Sequence, residues 1–159
     1  EKGGVFMFVE IREWNEEDAF ALHSLSKHPY LSKERLFRYF YPDTFLNAMS
    51  TIYFYQNADP KRFLYRAVIV DGNVAGFISA QVKNEHSAEL SYWLGVKYWR
   101  KGIMSKAVSL LCKEAFDKLP VFCIYAMVDQ KNIASQKVLE HNGFQKEKIE
   151  HLFIYRKYK

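Results

Sequence analysis

The chain has 159 residues, which fits one domain because domains commonly contain about 100–200 residues. Hydrophobic residues make up 49% of it, enough for a substantial core, and no apolar run approaches the ~20 residues of a membrane-spanning helix. The formal net charge of +5 favours a basic surface or an anionic ligand, and the lack of a recognition motif disfavours nucleic acid as a partner.

These numbers predict a single cytoplasmic domain over residues 1–159, with residues 1–4 treated as a cloning remnant outside the fold. The cysteines, Cys112 and Cys123, lie in apolar runs, as buried free thiols do in a reducing compartment. The five histidines show no ligand spacing with each other or with the cysteines, so we expect no metal site.

The first half of the chain predicts one strand, two helices and a three-stranded meander. An aromatic-rich stretch between Pro29 and Pro42 separates the helices, and Asp71-Gly72 is a strong hairpin signal inside the meander. The predicted elements are a strand from Val5 to Arg12, a helix capped by Asn15 and ending near Lys27, a helix capped by Asp43 and ending near Gln56, and strands Phe63–Val70, Val74–Val82 and Ala88–Leu94.

The second half alternates helices with strands. Its predicted elements are a helix from Gly102 to Lys118, a strand from Val121 to Val128, a helix from Asn132 to Asn142, and strands Phe144–Glu150 and His151–Tyr158. The strand from Val121 is almost wholly apolar, so we expect it to be covered on both faces. The order of elements predicts one α/β domain with a mixed sheet.

The most informative segment is the basic glycine turn that opens the helix after Trp99, with the sequence Trp-Arg-Lys-Gly-Ile-Met-Ser. Free backbone N–H groups and the positive end of a helix favour anionic oxygens, so this turn is a candidate diphosphate site. We expect backbone donors from Gly102 to Ser105, an extra donor in the Ser105 hydroxyl, and nearby positive charge. The residues concerned are Arg100, Lys101, Gly102, Ile103, Met104 and Ser105. Taken singly, each basic residue here is as consistent with a solvated surface.

A second block follows thirty residues later, with Asn132 and Ser135 on one helical face and Gly143-Phe144 behind them. The order of the two blocks resembles the GNAT superfamily of acyl-CoA-dependent N-acyltransferases, specifically its RimJ/RimL-like branch, in which an aromatic residue precedes the Lys-Gly turn. Met104 departs from the small residue usual at its position. The resemblance spans nearly the whole chain.

The resemblance implies an α/β (α+β) fold with a mixed, mostly antiparallel sheet of about seven strands and about four helices. It implies acetyl-CoA as co-substrate, direct attack by an amine, and a pantetheine arm lying where the third meander strand diverges from the next strand. Backbone groups of Leu94, Gly95 and Val96 would then bond to that arm, and Asn132 and Ser135 would lie beside the cofactor.

Two residues are the candidate catalytic groups. Glu89 shares a strand face with Ser91 and Trp93, and a carboxylate in a cleft there could act as general base, directly or through water. The other interpretation is an exposed strand carboxylate or a structural partner of a nearby arginine. The tyrosine that many family members use as an acid aligns with Leu139. Ser135 resembles the serine given that role in RimL-like enzymes, and it would stabilise the thiolate by a hydrogen bond. Ser135 could instead bond to the helix backbone, and Asn132 could serve only as an N-cap.

The resemblance slightly favours a protein N-terminal amine, of the ribosomal-protein type, as acceptor. A small amine such as a polyamine, an amino acid or an antibiotic is the alternative, and a non-catalytic acyl-CoA-binding module or a nucleic-acid-binding protein are further ones. We expect the acyl-CoA and the amine to be the partners of a monomer or homodimer that does not associate with membranes.

Overall fold

A computed structural model describes residues 6–28 and 44–159. They form a seven-stranded sheet and four α-helices, as the resemblance implied. The strands are β1 (Val9–Arg12), β2 (Phe63–Val70), β3 (Asn73–Val82), β4 (Ser87–Leu94), β5 (Cys123–Asp129), β6 (Gln145–Ile149) and β7 (Leu152–Tyr158). The helices are α1 (Ala19–Ser26), α2 (Phe45–Gln56), α3 (Ile103–Lys118) and α4 (Ile133–His141).

The strand order in the sheet is β1-β2-β3-β4-β5-β7-β6. Every neighbouring pair is antiparallel except β4 and β5, which run parallel. The parallel contact is short and spans three Cα pairs, from Ser87–Cys123 to Glu89–Tyr125. Beyond Glu89 the two strands separate, so the sheet opens between its two halves.

Each face of the sheet carries its own apolar core, because side chains alternate along the strands. Leu90 and Leu94 of β4 face α3 and α4 in one core, whereas Trp93 lies in the other core with residues of α1 and α2. The predicted division of the β4 side chains between two faces is therefore confirmed.

Several element boundaries differ from the predictions. The first strand begins at Val9 and not near Val5, because Phe6 is fully exposed and has no core to pack against. Asn15 precedes a single 3₁₀ turn, Glu16–Asp18, and the Asp18 carboxylate accepts a bond from the Asn15 N–H. Only then does α1 begin.

The second predicted helix has a different N-cap. Thr44 caps α2, and its hydroxyl accepts a hydrogen bond from the Asn47 N–H at 3.1 Å. The predicted cap, Asp43, lies outside the described residues, as does the aromatic-rich stretch from Pro29 to Pro42.

The expectation that the strand from Val121 is covered on both faces is wrong. The observed β5 has Ile124 and Ala126 buried against α3 and α4, whereas Met127 on the opposite face is half-exposed. The core on that face, formed with α1 and α2, includes residues of β2, β3 and β4 but no described residue of β5, so it does not extend over Met127.

A partly buried ion pair joins β2 to α3. Arg66 donates to Glu114 through Nη2 at 2.6 Å and through Nε at 3.1 Å, and Lys118 Nζ lies 2.9 Å from the same carboxylate. Burial by itself would raise the pKa of Glu114, but hydrogen bonds from Arg66 and Lys118 outweigh it and hold the pKa below its ordinary value.

Replacing Glu114 with Gln should lower the free energy of unfolding at pH 7 by about 3 kcal/mol, because it leaves the Arg66 guanidinium buried without a counter-charge. A depressed carboxyl pKa stabilises the fold above the ordinary value and loses that contribution as the pH falls through the folded value. Urea unfolding should therefore show the difference between wild type and Glu114→Gln shrinking toward pH 3. Asp117→Asn on the exposed side of α3 is the matched control. An equal loss at both pH values would contradict this assignment.

Candidate active site

The predicted glycine turn forms the N-terminus of α3. Gly102 is the N-cap residue with φ 74°, and Arg100 also has a positive φ of 60°. The first N–H groups of a helix lack intrahelical partners, so those of Ile103, Met104 and Ser105 point out of this end. The space beside Gly102 is open, because a Cβ built there would meet nothing within 4 Å. The turn therefore has the form of an anion-binding site.

Basic side chains surround this turn. All four are exposed, namely Lys97, Arg100, Lys101 and Lys106, and the ammonium of Lys97 lies 5.2 Å from the centre of the Tyr98 ring. Exposure allows either a solvated surface or contact with phosphate. The structure brings the charges to the helix end where an anion would bind.

Ser105 has a structural contact that the sequence did not predict. Asn142, at the end of α4, donates to the Ser105 carbonyl at 3.1 Å and to its Oγ at 3.2 Å. Lys157 in turn donates to the Asn142 carbonyl at 2.8 Å. These bonds connect α3, α4 and β7, and they leave the hydrogen of the Ser105 hydroxyl available as a donor.

Hydrogen bonds to β3 and to Trp99 fix the segment that is predicted to contact pantetheine. The Gly95 N–H donates to the Ala75 carbonyl at 2.8 Å, and the Leu94 carbonyl accepts from the Trp99 indole at 2.8 Å. The Val96 carbonyl accepts from the Trp99 N–H at 3.1 Å. Trp99 therefore fixes the rim of the gap between β4 and β5, a role for the aromatic residue that precedes the basic turn.

Glycine is required where β3 approaches this rim. A Cβ at Gly76 would lie 2.3 Å from the Trp93 carbonyl oxygen and 2.9 Å from the Leu94 Cα, closer than real atoms come. The absence of a side chain thus allows β3 and β4 to pack at the point where β4 ends.

Ser135 and Asn132 lie together in the first turn of α4. Asn132 is the N-cap, and its Oδ1 accepts a hydrogen bond from the Ser135 N–H at 3.1 Å. The Ser135 hydroxyl is 2.6 Å from the phenol oxygen of Tyr92, on β4. Among the described residues, the Ser135 Oγ is hydrogen-bonded to Tyr92 alone, so the hydroxyl bonds to β4 and not to its own helix.

Glu89 lies on the opposite face of the sheet at the last β4–β5 pair. Lys83 Nζ is 3.2 Å from its Oε2, and the carboxylate side chain is 24% exposed. The structural partner of Glu89 is thus a lysine and not the arginine expected in the structural interpretation. The carboxylate is therefore paired with a lysine yet still partly accessible.

Position 139 offers no acid. Leu139 is fully buried in the core between the sheet and α4. The cysteines offer no activated nucleophile, because burial raises the pKa of the Cys112 thiol to about 11 and also raises that of Cys123. Both properties are consistent with direct attack by the acceptor.

Sequence reasoning missed two tyrosines of the gap. Tyr92 lies beyond the last β4–β5 pair and reaches α4, whereas Tyr125 is paired with Glu89 across the strands. Burial and the charge of Glu89 raise the pKa of the Tyr125 phenol. The alternation of β4 had put Tyr92 on the face opposite Glu89, but its contact with Ser135 depends on how α4 packs.

Within residues 6–28 and 44–159, no helix is long and apolar enough to cross a membrane. The same residues contain no cluster of His, Cys, Asp or Glu side chains that could hold a metal ion.

Comparison with known proteins identifies the family. The model of the acetyltransferase (GNAT) domain matches residues 9–145, which is most of the chain. The chain belongs to the GNAT acetyltransferase family. This GNAT domain is 41% identical over 63 residues to a probable N-acetyltransferase, YjcK, of Bacillus subtilis (strain 168). The matched segment covers 40% of the chain but only 35% of the relative's length.

Solved structures show the same fold over almost the whole chain. RimL, a ribosomal L7/L12 alpha-N-protein acetyltransferase in complex with coenzyme A, superposes with a TM-score of 0.79 at 18% identity, covering 94% of this chain and 93% of that one. The microcin C7 self-immunity acetyltransferase MccE, in complex with acetyl-CoA and AMP, gives 0.78 at 18% identity, covering 95% and 92%. At these identities the likeness concerns the fold.

Proposed function

We propose that this GNAT domain is an acetyl-CoA-dependent N-acetyltransferase whose acceptor is a protein N-terminal α-amine. The observation that carries the proposal is the placement of two polar groups around the gap between β4 and β5. Glu89 lies on one face of the sheet where the strands separate. Ser135 lies on the other face, at the start of α4, whose opposite end bonds through Asn142 to the first turn of α3.

The residues of the chain fit a long phosphate-bearing co-substrate. The N–H groups after Gly102 would hold the diphosphate, with Arg100 and Lys101 adding positive charge. The rim from Leu94 to Val96 would line the thioester arm. When bound there, acetyl-CoA supplies an activated acetyl group.

Glu89 would then act on the attacking amine, and Ser135 would act on the leaving sulfur. Glu89 accepts the proton that the amine loses as its nitrogen bonds to the carbonyl carbon. The C–S bond breaks with its electron pair on sulfur, and the Ser135 hydroxyl donates a hydrogen bond to that thiolate. Water finally protonates the sulfur, and Glu89 returns its proton to solvent. The products are an amide and a free thiol.

The charges favour an N-terminal amine over a polycation. An α-amine has a pKa near 7.7–8.0 and a lysine side chain one near 10.4, so an N-terminus is already partly neutral and needs only a weak base. A chain with a net charge of +5 repels polyamines and aminoglycosides. The structural likeness to RimL, which acts on a protein N-terminus, supports this choice, and the likeness to MccE motivates the small-molecule arm of the test.

The test is release of free thiol from acetyl-CoA in a panel of acceptors. The key pair is a peptide with a free N-terminus and the same peptide blocked at its N-terminus but carrying an internal lysine. Spermidine, an aminoglycoside and free amino acids complete the panel. We expect turnover with the free N-terminus and at least about tenfold less with the blocked peptide. Turnover on the small amines alone would overturn the choice of acceptor.

A further inference from the structure

Among the residues that the structure describes, Tyr92 is the side chain to which the Ser135 hydroxyl is hydrogen-bonded. Its phenol oxygen lies 2.6 Å from the Ser135 Oγ and 3.5 Å from the Ser135 carbonyl oxygen, so the short bond is to the hydroxyl. The Tyr92 ring packs against the core between the sheet and α3. Tyr92 is thus anchored on β4 and meets the first turn of α4 beyond the point where β4 and β5 separate.

The direction of this hydrogen bond decides what Ser135 can do. A serine hydroxyl has one hydrogen and two lone pairs. If Ser135 donated to Tyr92, its only hydrogen would be used and its lone pairs would face any sulfur nearby. If Tyr92 donates, the serine hydrogen is free for a second acceptor.

We propose that Tyr92 is a positioning residue that donates its phenol hydrogen to the Ser135 Oγ and thereby directs the serine hydrogen to the sulfur of coenzyme A. This inference rests on the proposed function, since it needs a thiolate beside Ser135. No proton changes owner between the two residues: both hydroxyls keep their hydrogens, and the thiolate takes its proton from water.

The surroundings of Tyr92 favour this direction. Burial raises the pKa of the Tyr92 phenol to about 12, although the hydrogen bond with Ser135 acts in the opposite sense. The phenol therefore remains a donor at the pH values at which an amine is acetylated. The adjacent phenol of Tyr155 is already committed, because it donates to Glu140 Oε1 at 2.9 Å. Tyr155 therefore takes Glu140 as its acceptor, and the acceptor for the Tyr92 phenol is the Ser135 hydroxyl.

The experiment measures the ionisation of the coenzyme A thiol when it is bound to the enzyme. Thiolate absorbance is followed against pH. The same titration with desulfo-coenzyme A, which has no thiol, measures the background of the protein tyrosines, and this background is subtracted. A free thiol has a pKa near 8.5. We expect wild type to increase the ionisation constant about tenfold, as one hydrogen bond to a charged group does. Ser135→Ala should abolish the increase, and Tyr92→Phe should remove most of it.

A variant that combines Tyr92→Phe with Ser135→Ala distinguishes a positioning role of Tyr92 from a merely structural one. Tyr92→Phe should have no further effect in the Ser135→Ala background, because it acts through the serine. Tyr92→Phe keeps the ring, and its melting temperature and coenzyme A affinity verify the fold. Tyr65→Phe, a buried strand tyrosine on the other face of the sheet, is the matched control and should behave as wild type.

Different results would overturn different parts of the argument. If Tyr92→Phe has the same thiol ionisation constant as wild type, or if the two substitutions act independently, the role of Tyr92 is refuted while the proposed function stands. If wild type binds coenzyme A without any shift in the pKa of its thiol, the role of Ser135 is refuted as well. Failure of wild type to bind coenzyme A refutes the proposed function, and this inference with it.

Discussion

Replacement of Gly102 by Glu should weaken the binding of acetyl-CoA on the order of 100-fold. The new carboxylate would lie at the N-cap of α3, where it competes with the diphosphate for the same N–H groups and repels its charge. The φ of 74° also strains any residue with a Cβ, at a cost of about 1 kcal/mol in stability. Titration calorimetry with acetyl-CoA, together with urea unfolding, measures the two effects separately.

Gly72→Glu is the matched control for this variant. Gly72 has a φ of 82° and an equally open surrounding, but it lies in the turn between β2 and β3. It should show the same loss of stability with unchanged affinity for acetyl-CoA. Equal affinities of the Gly102 and Gly72 variants would show that the diphosphate binds elsewhere. Lys101→Glu should also weaken binding, by a smaller factor, because it reverses a charge of the turn but leaves the N–H groups after Gly102 unobstructed.

Replacement of Glu89 by Gln should lower kcat about 100-fold with an N-terminal peptide as acceptor, and leave the KM for acetyl-CoA within about twofold of wild type. The amide keeps the shape of the side chain but cannot accept the proton. Because even a neutral α-amine loses a proton as it attacks, the deficit should persist as the pH rises above the amine pKa near 7.7–8.0. Steady-state thiol release as a function of pH measures this.

Glu85→Gln provides the same chemical change at an exposed position near the start of β4 and should leave kcat unchanged. Glu89→Gln also breaks the ion pair with Lys83, so Lys83→Met tests whether that contact alone matters. If Lys83→Met and Glu89→Gln lower kcat equally, Glu89 is structural. If neither has an effect, the proton goes to water directly.

Local patterns in the sequence were sufficient for most of the elements and for the basic glycine turn that begins α3. The helix that begins after Gly102, the alternation along β4 and the cap at Asn132 each depend on interactions within a few residues, so spacing alone predicts them. The family likeness supplied the mixed, mostly antiparallel sheet of about seven strands, and the observed seven-stranded sheet agrees with it.

The sequence was less reliable where burial decides the outcome. An apolar run cannot show whether both faces of a strand are covered, because that depends on which elements pack over the sheet. Met127 is half-exposed since the core formed with α1 and α2 includes residues of β2, β3 and β4 but no described residue of β5. Likewise, the N-terminal boundary of β1 depends on where the core ends, and Phe6 lies beyond it.

The sequence by itself thus determined the helices and strands, the basic turn at Gly102 and the polar pair of Asn132 and Ser135, because these features are local. Only the tertiary structure decided what those groups meet. Lys83 meets Glu89 within the hairpin that joins β3 to β4, whereas Tyr92 of β4 meets Ser135 of α4. The first contact depends on the register of the hairpin and the second on how α4 packs against the sheet, and local spacing encodes neither of them.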